Sequence, residues 1–282
     1  MSPAHPLKVL SLFAGIGGFD LGLERTGGFK TVAFCEIEPF ARKVLAKHWP
    51  RVPCYEDVRE LTSERLSADG IAVDAICAGF PCQDLSIAGK RAGLANGTRS
   101  GLWAEVARLV GELGPGYVLL ENVTNLLAGP DDQPGAWFGR VLGDLASLGY
   151  DAEWHCIPAS YIGAWHRRDR VWVLAYPDRI VRQQGLSEKP ILRQCDVHVQ
   201  SQGSFEGWPG RSDLPQPRTC GSADGVPKRL HALGNAVVPQ IPELIGRAIL
   251  QSINHTTSQF AKRDCSPVSV SIHDQSDSAG RR

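Results

Sequence analysis

Cys82 stands in Gly79-Phe-Pro-Cys-Gln83, just after an apolar run at 72–78. A nucleophilic thiol needs exposure, a lowered pKa and a helix end or a positive neighbour. On spacing alone, a structural thiol in a turn is the better fit. The next glycine-bounded stretch, Gly89-Lys-Arg-Ala-Gly93, is basic and could hinge over a substrate. Glu121-Asn122 ends another apolar run, so Glu121 could face Cys82 across a pocket, and a buried carboxyl beside a thiol suits general-acid work. The other cysteines read mostly as small hydrophobes. None of the eight forms a Cys-x-x-Cys pair and no histidines cluster at zinc spacing, so no metal site is expected. With no export signal, the thiols are expected reduced, as in a cytoplasm.

A second set of residues suits a nucleoside. Phe13-Ala-Gly15-Ile-Gly17-Gly18 falls where a first strand would pass into a first helix, and glycines there let backbone approach a ligand. A dinucleotide fingerprint would need a third glycine at position 20, where Asp20 stands, which favours a cofactor without a pyrophosphate. Glu36 ends the next strand and could accept both hydroxyls of a ribose, while Asp57 could accept from an exocyclic amine. Each carboxylate taken singly also fits a solvated turn.

These groups need a scaffold that brings distant segments to one edge. Short β-branched runs at 8–13, 31–36, 72–78, 117–121, 152–158 and 170–175 alternate with helical patterns, one of them starting at Pro39 and running to about His48. That alternation argues for an α/β fold: a parallel sheet covered on both faces, of Rossmann-like type. The expected catalytic and cofactor-binding domain is 6–176, completed by 228–254, where periodicity returns with Pro239 and Pro242 near the start of a last helix. The Gln-, Gly-, Pro- and Arg-rich segment 177–227 reads as a small irregular lobe, and 258–282 as a disordered tail. The 30 basic residues balance the 30 acidic ones, which excludes a uniformly basic coat, yet 163–230 holds 11 basic against 7 acidic residues. No apolar run is long enough to span a bilayer, so no membrane partner is expected.

Read in order, Phe-x-Gly-x-Gly, Pro-Cys-Gln, Glu-Asn-Val, Arg-x-Arg and Gly-Asn-Ala-Val resemble the motifs of the DNA (cytosine-5)-methyltransferase family. The matching stretches are 10–24, 36–37, 57–58, 74–94, 101–103, 117–127, 167–173 and 233–239. The resemblance implies S-adenosyl-L-methionine as cofactor. Phe13, Gly15 and Gly17 would line its methionine end, Glu36 with Ile37 the ribose side, and Asp57 with Val58 the adenine. Leu102 would touch it as well, and Asn235, Ala236 and Val237 would close the pocket from the far end of the chain. Cys82 would attack cytosine C6, Glu121 would contact N3, and Arg168 and Arg170 would reach the base and Glu121.

The implied partner is double-stranded DNA, since the reacting base lies in the duplex stack and must be flipped out. The family places its target-recognition domain where 177–227 lies, and Arg179, Arg182, Arg193, Arg211 and Arg218 are the donors there for phosphates and guanines. A monomer is expected, with a companion restriction endonuclease as a further partner. Two positions depart from the family pattern: His166 replaces a Gln two before Arg168, and Leu85 replaces an aromatic after Pro-Cys-Gln-Asp. Competing readings are an RNA or tRNA cytosine-5 methyltransferase, a catalytically silent DNA-binding relative, and a cysteine hydrolase, the last lacking a suitably spaced His.

Overall fold

A computed structural model describes residues 5–81, 101–129, 133–164, 166–178, 180, 190–192 and 236–263, with side chains to 254. Cys82, Asn235, Arg179, Arg182, Arg193, Arg211 and Arg218 lie outside the described residues. The chain runs β1 (Leu7–Leu12), α1 (Gly18–Arg25), β2 (Phe29–Cys35), α2 (Pro39–His48), β3 (Cys54–Tyr55), α3 (Ser63–Ala68), β4 (Ala75–Ala78), α4 (Gly101–Leu113) and β5 (Tyr117–Val123). It continues through α5 (Ala136–Ser147), β6 (Tyr150–Pro158), β7 (Asp169–Pro177) and α6 (Gln240–Arg263). The strands form one sheet ordered β3-β2-β1-β4-β5-β7-β6.

Five strands are parallel, but β7 inserts antiparallel between β5 and β6, which corrects the all-parallel expectation. The reason is the length of the connection. Only residues 159–168 join β6 to β7, and a parallel return needs a dozen or more. The fourth strand is also shorter than its apolar run, starting at Ala75. Asp74 is tied sideways, its N–H donating to the Lys8 carbonyl (2.8 Å) and its carboxylate accepting the Lys8 N–H (2.9 Å).

Both faces of the sheet are buried. On β1, Val9 joins the core beneath α1 and α6, and Leu10 the core beneath α4 and α5; on β4, Ala75 and Cys77 split from Ile76 and Ala78 in the same way. Such strands read as continuous apolar runs because neither face meets water. Ile241, Leu244, Ile245, Ala248 and Ile249 form one stripe of α6 against this sheet. The helix continues to Arg263, past the expected start of a disordered tail at 258. Residues 254–263 contain neither Gly nor Pro, so nothing in the chain breaks a helix once it is formed.

Part of the 177–227 segment is anchored in the same core. Ile191 and Leu192 are fully buried, and their N–H groups both donate to the carboxylate of Glu153 (2.8 Å each), which also accepts from the Tyr176 hydroxyl (3.0 Å).

Asp20, the residue that takes the place of a fingerprint glycine, is wholly buried on α1. Its carboxyl accepts from Ser11 Oγ and Thr31 Oγ1, both at 3.0 Å, and burial pushes its pKa up to about 7. The folded state therefore holds a proton that the unfolded chain releases near pH 4. Stability is fully present below that pH and is lost as pH rises toward 7. Asp20→Asn keeps the shape and removes the ionisation, and the two hydroxyls can turn to suit an amide. We expect its unfolding free energy to be nearly flat between pH 5 and 8, exceeding that of the parent at pH 8 by about 1–3 kcal/mol. Urea denaturation across that range checks this; parallel pH curves for the two proteins would refute it.

Candidate active site

The sheet changes direction between β1 and β4: one half of the chain builds outward through β2 and β3, the other through β5, β7 and β6. Crevices at such a switch point, beyond the carboxyl ends of the strands, are where open α/β sheets bind ligands. Every described candidate residue is on a segment that reaches this edge or packs against one that does.

The β1 side carries the glycine turn. Phe13, Gly15 and Gly17 all have positive φ (53°, 55° and 84°), a conformation that costs little in glycine and about 1 kcal/mol or more in phenylalanine. The turn is held by Glu36, a buried carboxylate at the end of β2. One of its oxygens accepts the Gly15 N–H (2.6 Å), the other the Glu38 N–H (2.8 Å). Each carboxylate oxygen has further lone-pair capacity, so a pair of hydroxyls could still be accepted without dismantling the turn. Ile37, next in sequence, is an exposed large hydrophobic (53%) and offers an apolar platform at the same edge.

Asp57, beyond β3, is gripped by Arg59 through Nε and Nη2 (2.9 and 2.6 Å), which holds its carboxyl below the ordinary range. Val58 is a core residue at 4% exposure, so its side chain serves packing. Leu102 is partly buried and packs on the same core as Phe13 and Tyr55.

The β5 side carries the acid. Glu121 is 8% exposed, and Arg170 on β7 meets it at 2.9 Å (Nε to Oε1). Burial raises the Glu121 pKa, while Arg170 and Arg168 pull it down without reversing the shift. Arg168 has φ 36° and donates from Nη2 to the Ala236 carbonyl (2.8 Å). Burial and the nearby Arg170 weaken its hold on its own proton. His166 is exposed and, with Arg168 and residues 236–240, lines a cavity of about 400 Å³. Gly79 lies beside the acid, as a Cβ built on it would stand 3.7 Å from Glu121 Oε2. The segment that leads into Cys82 thus starts against the Glu121 carboxyl.

Asn122, the middle residue of Glu-Asn-Val, has a role of its own that the motif does not state. Its Nδ2 donates to the Phe80 carbonyl (2.8 Å), and its Oδ1 accepts the Val123 N–H (2.9 Å). Phe80 is buried against Trp103 (centroids 5.2 Å apart), whose Nε1 donates to Asp144 (2.7 Å). The loop is therefore fixed up to one residue before Pro81. The available signal was an amide directly after a strand-ending acid, but its partner lies 42 residues away. Asn122→Ala leaves a buried carbonyl unpaired and releases the loop. For the reaction that the motif resemblance implies, we expect a 10- to 100-fold slower chemical step, on the order of what misplacing a reacting group costs, with cofactor affinity unchanged. Single-turnover kinetics with calorimetry of cofactor binding checks this, and a matching loss of affinity would refute it.

Among the described residues no group of His, Cys, Asp and Glu could hold a metal ion, and no helix is long and apolar enough to cross a membrane. Cys35 and Cys77 are buried, with pKa values pushed up to about 12 and well above the ordinary value respectively, so both behave as packing groups.

A sheet of this order, with a glycine turn after its first strand and a carboxylate after its second, has the Rossmann-like methyltransferase fold. The chain belongs to the C-5 cytosine-specific DNA methylase family, whose model matches residues 7–199. It is 34% identical over 237 residues to the type II methyltransferase M2.BsuMI of Bacillus subtilis (strain 168), covering 78% of this chain and 58% of that protein. To the type II methyltransferase M.Sau3AI of Staphylococcus aureus it is 34% identical over 202 residues, 66% of this chain and 47% of the relative. The chain thus spans about half the length of these curated relatives. Among solved structures, it is similar to a candidate DNA modification methyltransferase encoded within an E. coli prophage. The TM-score is 0.52 at 28% identity, over 62% of this chain and 47% of that one.

Proposed function

We propose that the protein is a DNA cytosine-5 methyltransferase acting on a flipped-out cytosine in a short duplex site, through a covalent bond between Cys82 and C6. The observation that carries this reading is the buried Glu121–Arg170 pair, set beside the Gly79–Pro81 segment that leads into Cys82. S-adenosyl-L-methionine, when bound, supplies an electrophilic methyl group. Phe13, Gly15 and Gly17 would hold it with Glu36, Ile37, Asp57, Leu102 and 235–237. The spare acceptor capacity of Glu36 and the exposed face of Ile37 fit a nucleoside without phosphates.

Cytosine C5 is a poor nucleophile until the ring loses its aromaticity. Cys82 as thiolate adds to C6, and the displaced electron pair shifts toward N3, which Glu121 protonates. Arg170 holds the Glu121 carboxyl in place, and Arg168 orients the base beside it. C5, now part of an enamine, would take the methyl group as the cofactor's S–CH3 bond breaks, with the electron pair left on its sulfur. A base then removes the C5 proton, the S–C6 bond breaks, Cys82 leaves as thiolate, and N3 returns its proton to Glu121. The raised pKa of Glu121 suits this role, because a carboxyl that keeps its proton nearer neutrality can deliver it.

Catalysis on this reading belongs to 6–176 with 228–254. The lobe at 177–227 supplies Arg179, Arg182, Arg193, Arg211 and Arg218 to the phosphates and base edges of double-stranded DNA. One copy of the chain would act alone inside the cell, and an endonuclease of the same site would be its companion. Tritiated methyl transfer to duplex DNA and to tRNA, followed by bisulfite mapping, tests the reading. We expect label in DNA alone and one short motif; label in tRNA, or in neither, would overturn it.

A further inference from the structure

Gly18 and Gly22 lie one helical turn apart on α1 and face the chain that returns from the far end of the sequence. Neither has a positive φ, so neither position requires glycine for its backbone. What both lack is room. A Cβ on Gly18 would stand 2.3 Å from the Val237 carbonyl oxygen. One on Gly22 would stand 2.1 Å from the Pro239 carbonyl oxygen and 2.7 Å from Pro242 Cγ. The carbonyls of Val237 and Pro239 therefore lie directly on the helix backbone. The Ala236 carbonyl, next in line, accepts the Arg168 guanidinium, and Arg168 in turn acts on the charge of Glu121.

We propose that Gly18 and Gly22 are positioning residues for methyl transfer. They set how deeply 236–239 sits against α1, and thereby where Arg168 is held beside the acid. The proposal rests on the methyltransferase reading above. Alanine at 22 would improve the helix itself, since alanine is the better helix former. It would also force the Pro239 carbonyl back by about an ångström, and the tether of Arg168 with it. A misplacement of that size at a reacting group costs roughly 10²-fold in rate.

The test is a double-mutant cycle of Gly22→Ala and Arg168→Ala in the full chain, read by single-turnover methyl transfer and by calorimetric titration of S-adenosylmethionine. Rates are normalised to the fraction of protein that binds cofactor, so partial unfolding lowers stoichiometry rather than rate. Gly18→Ala, whose Cβ meets Val237 first, is the second variant should Gly22→Ala not fold. Gly246→Ala is the control. It lies in the same α1–α6 seam, but the atoms its Cβ would meet first are the side chains of Thr26, Leu23 and Phe29, at 3.0–3.2 Å, rather than backbone.

We expect Gly22→Ala to slow transfer roughly 10²-fold in the parent and less than about threefold once Arg168 is alanine. Gly246→Ala should lower the melting temperature without changing the rate. The same fold-loss from Gly22→Ala in both backgrounds would overturn the proposal, since the glycine would then act on the fold in general. A parent that binds cofactor but methylates no DNA would overturn the proposed function instead. The coupling is then read in cofactor affinity, where equal losses in both backgrounds would again overturn it.

Discussion

Cys82→Ser is expected to abolish methyl transfer, lowering the single-turnover rate roughly 10⁴-fold or more, the scale seen when a covalent nucleophile is removed. A hydroxyl is barely ionised near neutral pH and is a poor leaving group from C6, so both the first and the last step suffer. The volume change is small and Cys82 directly follows Pro81, which is exposed, so melting temperature and cofactor affinity should stay near those of the parent. Duplex DNA carrying 5-fluorocytosine gives a second reading. Fluorine cannot leave C5 as a proton does, so the parent protein should remain covalently attached to it, and the serine variant should not. Turnover in the variant, or no adduct with the parent, would remove Cys82 from this role.

Glu121→Gln should cost about 10²–10³-fold in transfer rate, a usual range for a lost general acid. Glutamine keeps the shape and an oxygen for Arg170 but cannot deliver a proton to N3. In the parent the protonated carboxyl becomes scarcer as pH rises through the raised pKa of Glu121, so the rate should carry an alkaline limb from this group. That limb should vanish in the variant. S-adenosylmethionine should bind Glu121→Gln as it binds the parent, because the carboxyl faces the β5–β7 side of the crevice. Asp57→Ala, beyond β3, should do the reverse, weakening the cofactor about tenfold, the worth of one good charged hydrogen bond, with little effect on the chemical step once cofactor is saturating. Calorimetry on both variants decides the matter; equal losses of cofactor affinity would overturn this division of roles.

The first element of the site was legible because its signals are local. A strand passing into a glycine turn, an acid closing the next strand and a proline opening α2 each lie within a few residues. Each follows from backbone conformations that only certain residue types tolerate. The order of five short motifs along the chain was enough to indicate the family, although no motif was decisive alone. Other features depended on contacts between residues far apart in sequence. Antiparallel β7 between β5 and β6 could not be read from β5 and β7 themselves, since both are buried on two faces and carry no alternation to mark direction or neighbour.

Side-chain partnerships were hidden for the same reason. Asn122 reaches Phe80, Glu36 holds Gly15, Arg168 holds Ala236 and Glu153 holds Ile191 and Leu192, over separations of 42, 21, 68 and 38–39 residues. The amino-acid sequence by itself determined which residues are able to do chemistry and where the chain turns, because reactivity belongs to the side chain and turn-forming to its nearest neighbours. Only the tertiary structure decided which carboxyl keeps its proton, which arginine is tethered and which glycine must stay bare. Those properties arise from burial and close approach, and both come from folding distant segments against one another.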